Sequence, residues 1–94
     1  MNKEKLEIYN KVLTQVLDDF GLEVQTMFGR NEQDCVQARK SLVVELARRG
    51  LSDKDIAELT QKMRRCSVCA IRNKYRADTA EWTVKHCLER LKGI

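Results

Sequence analysis

The sequence contains no proline and only four glycines in 94 residues. Such a chain carries no fixed helix breaker and little of the chemistry that tight β-hairpins demand. No segment alternates apolar and polar residues with period two for long, which excludes a strand-based fold. No apolar run approaches the roughly eighteen residues that a membrane span requires. The opening stretch "MNKEKLEIYN" has no signal-peptide core. A cytoplasmic location follows as the expectation, with no membrane partner and with the thiols of Cys35, Cys66, Cys69 and Cys87 reduced. Aromatic residues are few. Tyr9, Phe20, Phe28, Tyr75 and Trp82 are scattered along the chain. That scatter argues against a stacking platform for single-stranded bases and for core or interhelical packing.

Chemistry-bearing residues are equally sparse. His86 is the single histidine, and no Ser or Asp stands at a telling spacing from it. An exposed helical position is expected, and no enzymatic activity, small-molecule substrate or cofactor is expected. Cys66 and Cys69 form a Cys-x-x-Cys pair followed, after sixteen intervening residues, by adjacent His86 and Cys87. Neighbours on a helix point about 100° apart, so His86 and Cys87 do not make the second half of a zinc site. No metal is expected. Cys69 and Cys87 are assigned instead to the edge of the core, as small apolar side chains.

What is abundant is Leu, Glu, Lys, Arg and Ala, the composition of an all-α protein with short connections. Ninety-four residues make a single domain, near the small end of chains that fold alone. Leu6, Tyr9, Leu13, Val16, Leu17 and Phe20 fall at helical spacing, predicting an amphipathic helix over 3–20 that ends at Gly21. "LEVQTMF" reads as a short helix or an irregular turn stopping at Gly29. A longer helix follows over about 32–49, with Asn31 and Asp34 as its start signal and Gly50 closing it. Its buried stripe is Cys35, Ala38, Leu42 and Leu46, with Val43 beside it. Ser52 and Asp55 are spaced as a capping box and open a short helix with Ile56 and Leu59 inward. Thr60, Gln61 and Lys62 break it. The next helix carries Val68, Ile71 and Tyr75 inward. Asp78 with Glu81 starts a last helix whose stripe is Ala80, Val84, Cys87 or Leu88, and Leu91.

Charge is distributed unevenly. Residues 1–34 hold four Lys/Arg against seven Asp/Glu, residues 35–76 hold eleven against four, and residues 77–94 hold three of each. A central segment at +7 beside an acidic start points to a polyanionic partner. Two short helices joined by a tight turn, the second opening on Arg64-Arg65, have the form of a helix-turn-helix over 52–75.

From about Leu22 to Leu91 the chain resembles the C-terminal DNA-binding domain, domain IV, of the bacterial replication initiator DnaA, a member of the Trp-repressor-like helix-turn-helix group. The resemblance rests on Leu51, Ser52, Ile56, Val68 and Lys74, with Asp55 and Tyr75 similar in type. "VQARKSLVVELARRGLS" is similar to that family's long helix and "GLEVQTMFGR" to the segment that precedes it. The resemblance implies a compact all-α bundle of five to six helices, residues 1–21 forming an N-terminal helix and 22–94 the domain IV-like unit. It implies a double-stranded DNA partner; the sequence does not give the oligomeric state, and a monomer is favoured. Arg64, Arg65, Cys66 and Ser67 stand where the family reads bases with Asp-His-Thr-Thr, so Cys66 occupies the place of a base-reading Thr. Gln61-Lys62 replace the family's Gly-Gly. "GRNEQD" replaces an arginine-rich loop that enters the minor groove, with only Arg30 basic.

The resulting candidate DNA-binding set is Arg39, Lys40, Lys54, Lys62, Arg64, Arg65, Cys66 and Ser67. Arg64 and Arg65 suit bidentate contacts to guanine or phosphate clamping, and Ser67 a base edge or phosphate. Lys54 and Lys62 flank them as backbone contacts, and Arg39 and Lys40 face phosphates by analogy with the family. Arg48 and Arg49 are read as a solvated helix end favoured by the helix dipole. The changed readers imply a different or weaker base preference. The alternative is a protein-interaction module that kept the fold and lost the DNA surface. A surface broken by Glu32, Asp34 and Asp53 favours that alternative.

Overall fold

The computed structural model describes residues 3–75 and 81–93. These form six helices and, among the described residues, no strand: α1 Lys3–Phe20, α2 Val24–Gly29, α3 Gln33–Arg48, α4 Asp53–Thr60, α5 Arg65–Lys74 and α6 Trp82–Leu91. The all-α expectation holds, and the stretch at 22–28 resolves as a helix rather than an irregular turn. No described helix is long and apolar enough to cross a membrane.

α3 is the centre of the bundle, packing against α1, α2, α4, α5 and α6, while α4 also meets α5 and α1 meets α6. Its expected stripe is buried throughout: Cys35, Ala38, Leu42, Val43 and Leu46. The core is completed by Val12 and Val16 from α1, Met27 from α2, Ile56 from α4, Val68 from α5, and Cys87 and Leu91 from α6. Contact on several sides of α3 also buries Gln37, Ser41 and Glu45, polar residues that the apolar stripe does not mark.

The glycine stops are used as expected. Gly21 and Gly50 both take positive φ, 64° and 98°, where a side chain would be strained. The capping box is complete: Asp55 N–H donates to Ser52 Oγ and Ser52 N–H to Asp55 Oδ2, both at 3.2 Å. Gln61 closes α4 in the left-handed conformation at φ 55° despite having a Cβ.

Several local expectations are corrected. Leu6 is not on the buried stripe and stays 45% exposed; α1 buries the expected Tyr9 and Val16 and, in addition, Val12, where it packs against α3 and α6. Asn31 does not cap α3. Glu32 holds the N-cap position without a side-chain bond, and Asn31 Oδ1 accepts from Arg39 Nη2 at 3.2 Å. Trp82 is 72% exposed rather than packed, stacked on His86 with ring centroids 4.9 Å apart. At 82 it begins α6 two residues before Val84, the first of the buried positions Val84, Cys87 and Leu91. Asp78 and Ala80 lie outside the described residues; the N-cap position of α6 is Glu81.

Candidate nucleic-acid interface

Residues 61–75, the connection after α4 and the whole of α5, contain Lys62, Arg64, Arg65, Arg72 and Lys74 and no carboxylate. Val68 anchors α5 in the core with Ile71 packed against it. A helix held on that side presents the opposite one, so Arg65, Cys66, Ser67, Ala70 and Asn73 are all exposed. The connecting residues 61–64 carry exposed Gln61, Lys62 and Arg64, and half-buried Met63. Met63 N–H donates to Thr60 Oγ1 at 3.4 Å, tying the turn back to α4. Arg64 occupies the N-cap position of α5 with an extended backbone and no side-chain cap bond. The Arg64 side chain thus leaves the first-turn amides uncapped beside two arginines, an arrangement that attracts anions.

Of the carboxylates expected to break this surface, Asp53 and Glu32 are paired with arginines, while Asp34 stays exposed. Asp53 pairs with Arg72 at 3.2 Å and its side chain is only 12% exposed, which braces α4 against α5. Asp55 pairs with Lys5 of α1 at 2.9 Å. The Lys5 hydrogen bond, with those from Ser52, holds its carboxyl below the usual carboxylate range. Glu32 pairs with Arg30 at 3.1 Å. Asp34 is exposed in the first turn of α3.

The expected site residues divide accordingly. Lys54, Lys62, Arg64, Arg65, Cys66 and Ser67 are exposed on or beside the α4–α5 pair. Lys40 is half-buried on α3. Arg39 is engaged elsewhere: its Nη2 donates to Arg30 O at 3.1 Å as well as to Asn31 Oδ1, and its Nε to Cys35 O at 3.4 Å. It staples the α2–α3 connection to α3. Arg48 is exposed at the end of α3 as expected, whereas Arg49 is not solvated, its side chain being 16% exposed. Both close on Glu45, whose side chain is 1% exposed, at 2.5 and 2.6 Å. Arg49 also donates to Leu91 O at 3.0 Å, joining α3 to α6. Burial alone would raise the Glu45 carboxyl, but the hydrogen bonds from the two arginines outweigh it and hold the group below its ordinary range.

Ala70 and Asn73 complete the exposed face of α5 and were missed. Continuing the helical period from Cys66 by four and seven residues would have found them. The Arg72–Asp53 brace had no such signal, because it joins two helices.

All four cysteines are free thiols; Cys35 and Cys87 are buried, Cys69 is intermediate and Cys66 exposed. Among the described residues no group of three or more His, Cys, Asp or Glu side chains is arranged to hold a metal ion. A second feature lies across the bundle, where Trp82, His86, Phe20, Thr83 and Arg90 line a small pocket. No family model matches the chain, and no curated protein or solved structure matches it.

Proposed function

We propose that the chain binds double-stranded DNA, with α4–α5 acting as a helix-turn-helix of the DnaA domain IV kind and α5 entering the major groove. The observation that carries this reading is the solvent face of α5. Exposed Arg64 and Arg65 lead it, the short side chains Cys66, Ser67, Ala70 and Asn73 follow, and exposed Arg72 and Lys74 stand at its far end. A helix must come close for its residues to touch base edges, and short side chains permit that approach. The two arginines then reach guanine O6 and N7 or clamp phosphates, while Lys54 and Lys62 neutralise the flanking backbone. Lys40 adds a phosphate contact from α3. Arg39 contributes by holding the α2–α3 connection in shape rather than by touching DNA. With no acidic or imidazole reader at the start of α5, base preference differs from that of the initiator.

The test is an NMR titration of the full chain with random-sequence and DnaA-box duplexes. Shifts clustered at 62–68, weakening steeply with salt, are expected. No binding to any duplex at low salt would overturn the reading.

One observation favours a second reading, a protein-docking module: Trp82 is the most exposed of the large hydrophobic side chains and lies beside the Phe20–Arg90 pocket. Under that reading a partner protein perturbs 82–90 and duplex DNA leaves 62–68 unchanged.

A further inference from the structure

Cys66 and Cys69 sit three residues apart at the start of α5, as its second and fifth residues. Neither is a core residue, so helical packing does not account for the pair. Cys35 and Cys87 are 1% and 2% exposed, which leaves Cys66 and Cys69 as the two thiols that a reagent in solution meets first. Cys69 Sγ accepts a weak hydrogen bond from Asn73 Nδ2 at 3.2 Å. Positively charged Arg64 and Arg65 precede them directly, and both are exposed.

We infer that Cys66 and Cys69 form a reversible thiol–disulfide exchange site for small anionic disulfides, and that closing it weakens the contact of α5 with DNA. The second clause rests on the function proposed above; the first does not. In the first step the Cys66 thiolate attacks one sulfur of the small disulfide. A mixed disulfide forms on Cys66, and one small thiolate leaves and takes up a proton. In the second step Cys69 loses its proton to solvent, and its thiolate leaves Asn73 and attacks Cys66 Sγ. That step releases the second small thiol and leaves a Cys66–Cys69 disulfide. The protein pair loses two electrons, and the small disulfide gains them.

The arginines draw an anionic disulfide to the first turn. Exposure lets Cys66 act first, and the less exposed Cys69 resolves the intermediate. Helix positions three apart hold their Cβ atoms about 5–6 Å apart, whereas a disulfide needs about 3.5–4.5 Å. The 66–69 stretch must therefore tighten. Only its first two amides, those of Cys66 and Ser67, lie ahead of the first helical bond, Val68 N–H to Arg64 O at 3.1 Å, so its leading end yields more readily than a mid-helix turn would. The resulting strain makes the bond easily reduced, as suits a reversible site. Tightening also moves Arg64 and Arg65 off the geometry of the open helix.

The experiment incubates the native full-length chain with oxidised glutathione at graded ratios to the reduced form. Free thiols are then blocked, and products are read by intact mass and peptide mapping. Loss of two hydrogens confined to the peptide containing 66–69, reversed by reductant, is expected. Cys69→Ser should stop at a glutathionyl adduct on Cys66, and Cys66→Ser should form neither product. A wild-type chain that never forms the 66–69 disulfide, or that reacts first at Cys35 or Cys87, would overturn the exchange site. Duplex affinity is measured in parallel on both redox forms, with Cys66→Ser/Cys69→Ser as the control that cannot close. Roughly tenfold weaker binding by the oxidised wild type is expected, with the control indifferent to oxidant. Equal binding by both forms would overturn the coupling alone. If neither form binds DNA, the coupling falls together with the proposed function, while the mass readout still decides the exchange site.

Discussion

Arg49 Nε lies 2.6 Å from Glu45 Oε2, and the two side chains are 16% and 1% exposed. Arg48 reaches the same carboxylate bidentately, yet its side chain is 52% exposed. The two partners therefore differ in worth. Removing a partner from a buried charge costs about 3 kcal/mol or more, whereas an exposed partner contributes about 0–1. Arg49→Met should lower the urea-unfolding free energy by about 3 kcal/mol, and Arg48→Met by much less. Glu45→Leu combined with Arg49→Met should be milder than Arg49→Met alone, since no buried charge is then left behind.

The same carboxylate makes stability acid-sensitive. Its folded-state pKa is depressed, so its contribution is complete above the ordinary value of 4.5 and is lost as pH falls through the lower folded value. Unfolding curves for wild type and Glu45→Gln should converge as the pH drops below that value. Curves that stay parallel would remove Glu45 as the cause.

Cys87 makes the opposite prediction at the alkaline end. Burial, with the Asp19 carboxylate beside it, pushes this thiol from 9.0 up to about 12. The neutral form is favoured in the folded chain, so its contribution is complete below 9.0 and is lost as pH rises towards about 12. Thermal melts should lose stability across that window, and Cys87→Ala should lose less. Native-state thiol titration at neutral pH should count two cysteines, rising to four in denaturant.

At the α4–α5 connection, Gln61 holds φ 55° at a position that favours glycine. Gln61→Gly should stabilise the chain by about 0.5–1 kcal/mol, the relief of strain exceeding the added chain entropy. Ser52→Ala removes one arm of the capping box and should cost about 1 kcal/mol. Both are read from chemical denaturation.

Arginines in and out of the proposed interface should separate cleanly. Arg64→Ala with Arg65→Ala should reduce the log–log salt slope of duplex binding by about 2 and leave stability within about 0.5 kcal/mol. Arg39→Ala should instead lower stability with the salt slope unchanged, because its hydrogen bonds are to Arg30, Asn31 and Cys35.

What was readable in the sequence is what neighbouring residues decide. Ser52 and Asp55 announce their own reciprocal bonds, Gly21 and Gly50 their own positive φ, and the spacing of Cys35, Ala38, Leu42 and Leu46 one buried face. Leu6 misled because helical period shows which residues share a face, not how far along the helix its partners reach. Asn31 misled because its side chain has two possible donors, a local amide and the guanidinium of Arg39, and the second depends on how α3 begins. Glu45 reads as a surface residue until five helices surround α3. In the candidate site, the exposure of Arg64 and Arg65 followed from the helix face opposite Val68. The neutralising of Asp53 by Arg72 and of Asp55 by Lys5 depends on tertiary contact alone.

The central position of α3 also sets an order of assembly. The pairing of α4 with α5 spans only residues 61–64, so its closure entropy is small. α1 meets α6, with Arg90 3.2 Å from Asp19, across nearly the whole described chain. Loop closure over that span costs more and is repaid only once α3 offers both helices a surface. The helix pair proposed to meet DNA thus belongs to the early, local part of the folding reaction, and the α1–α6 seam closes last.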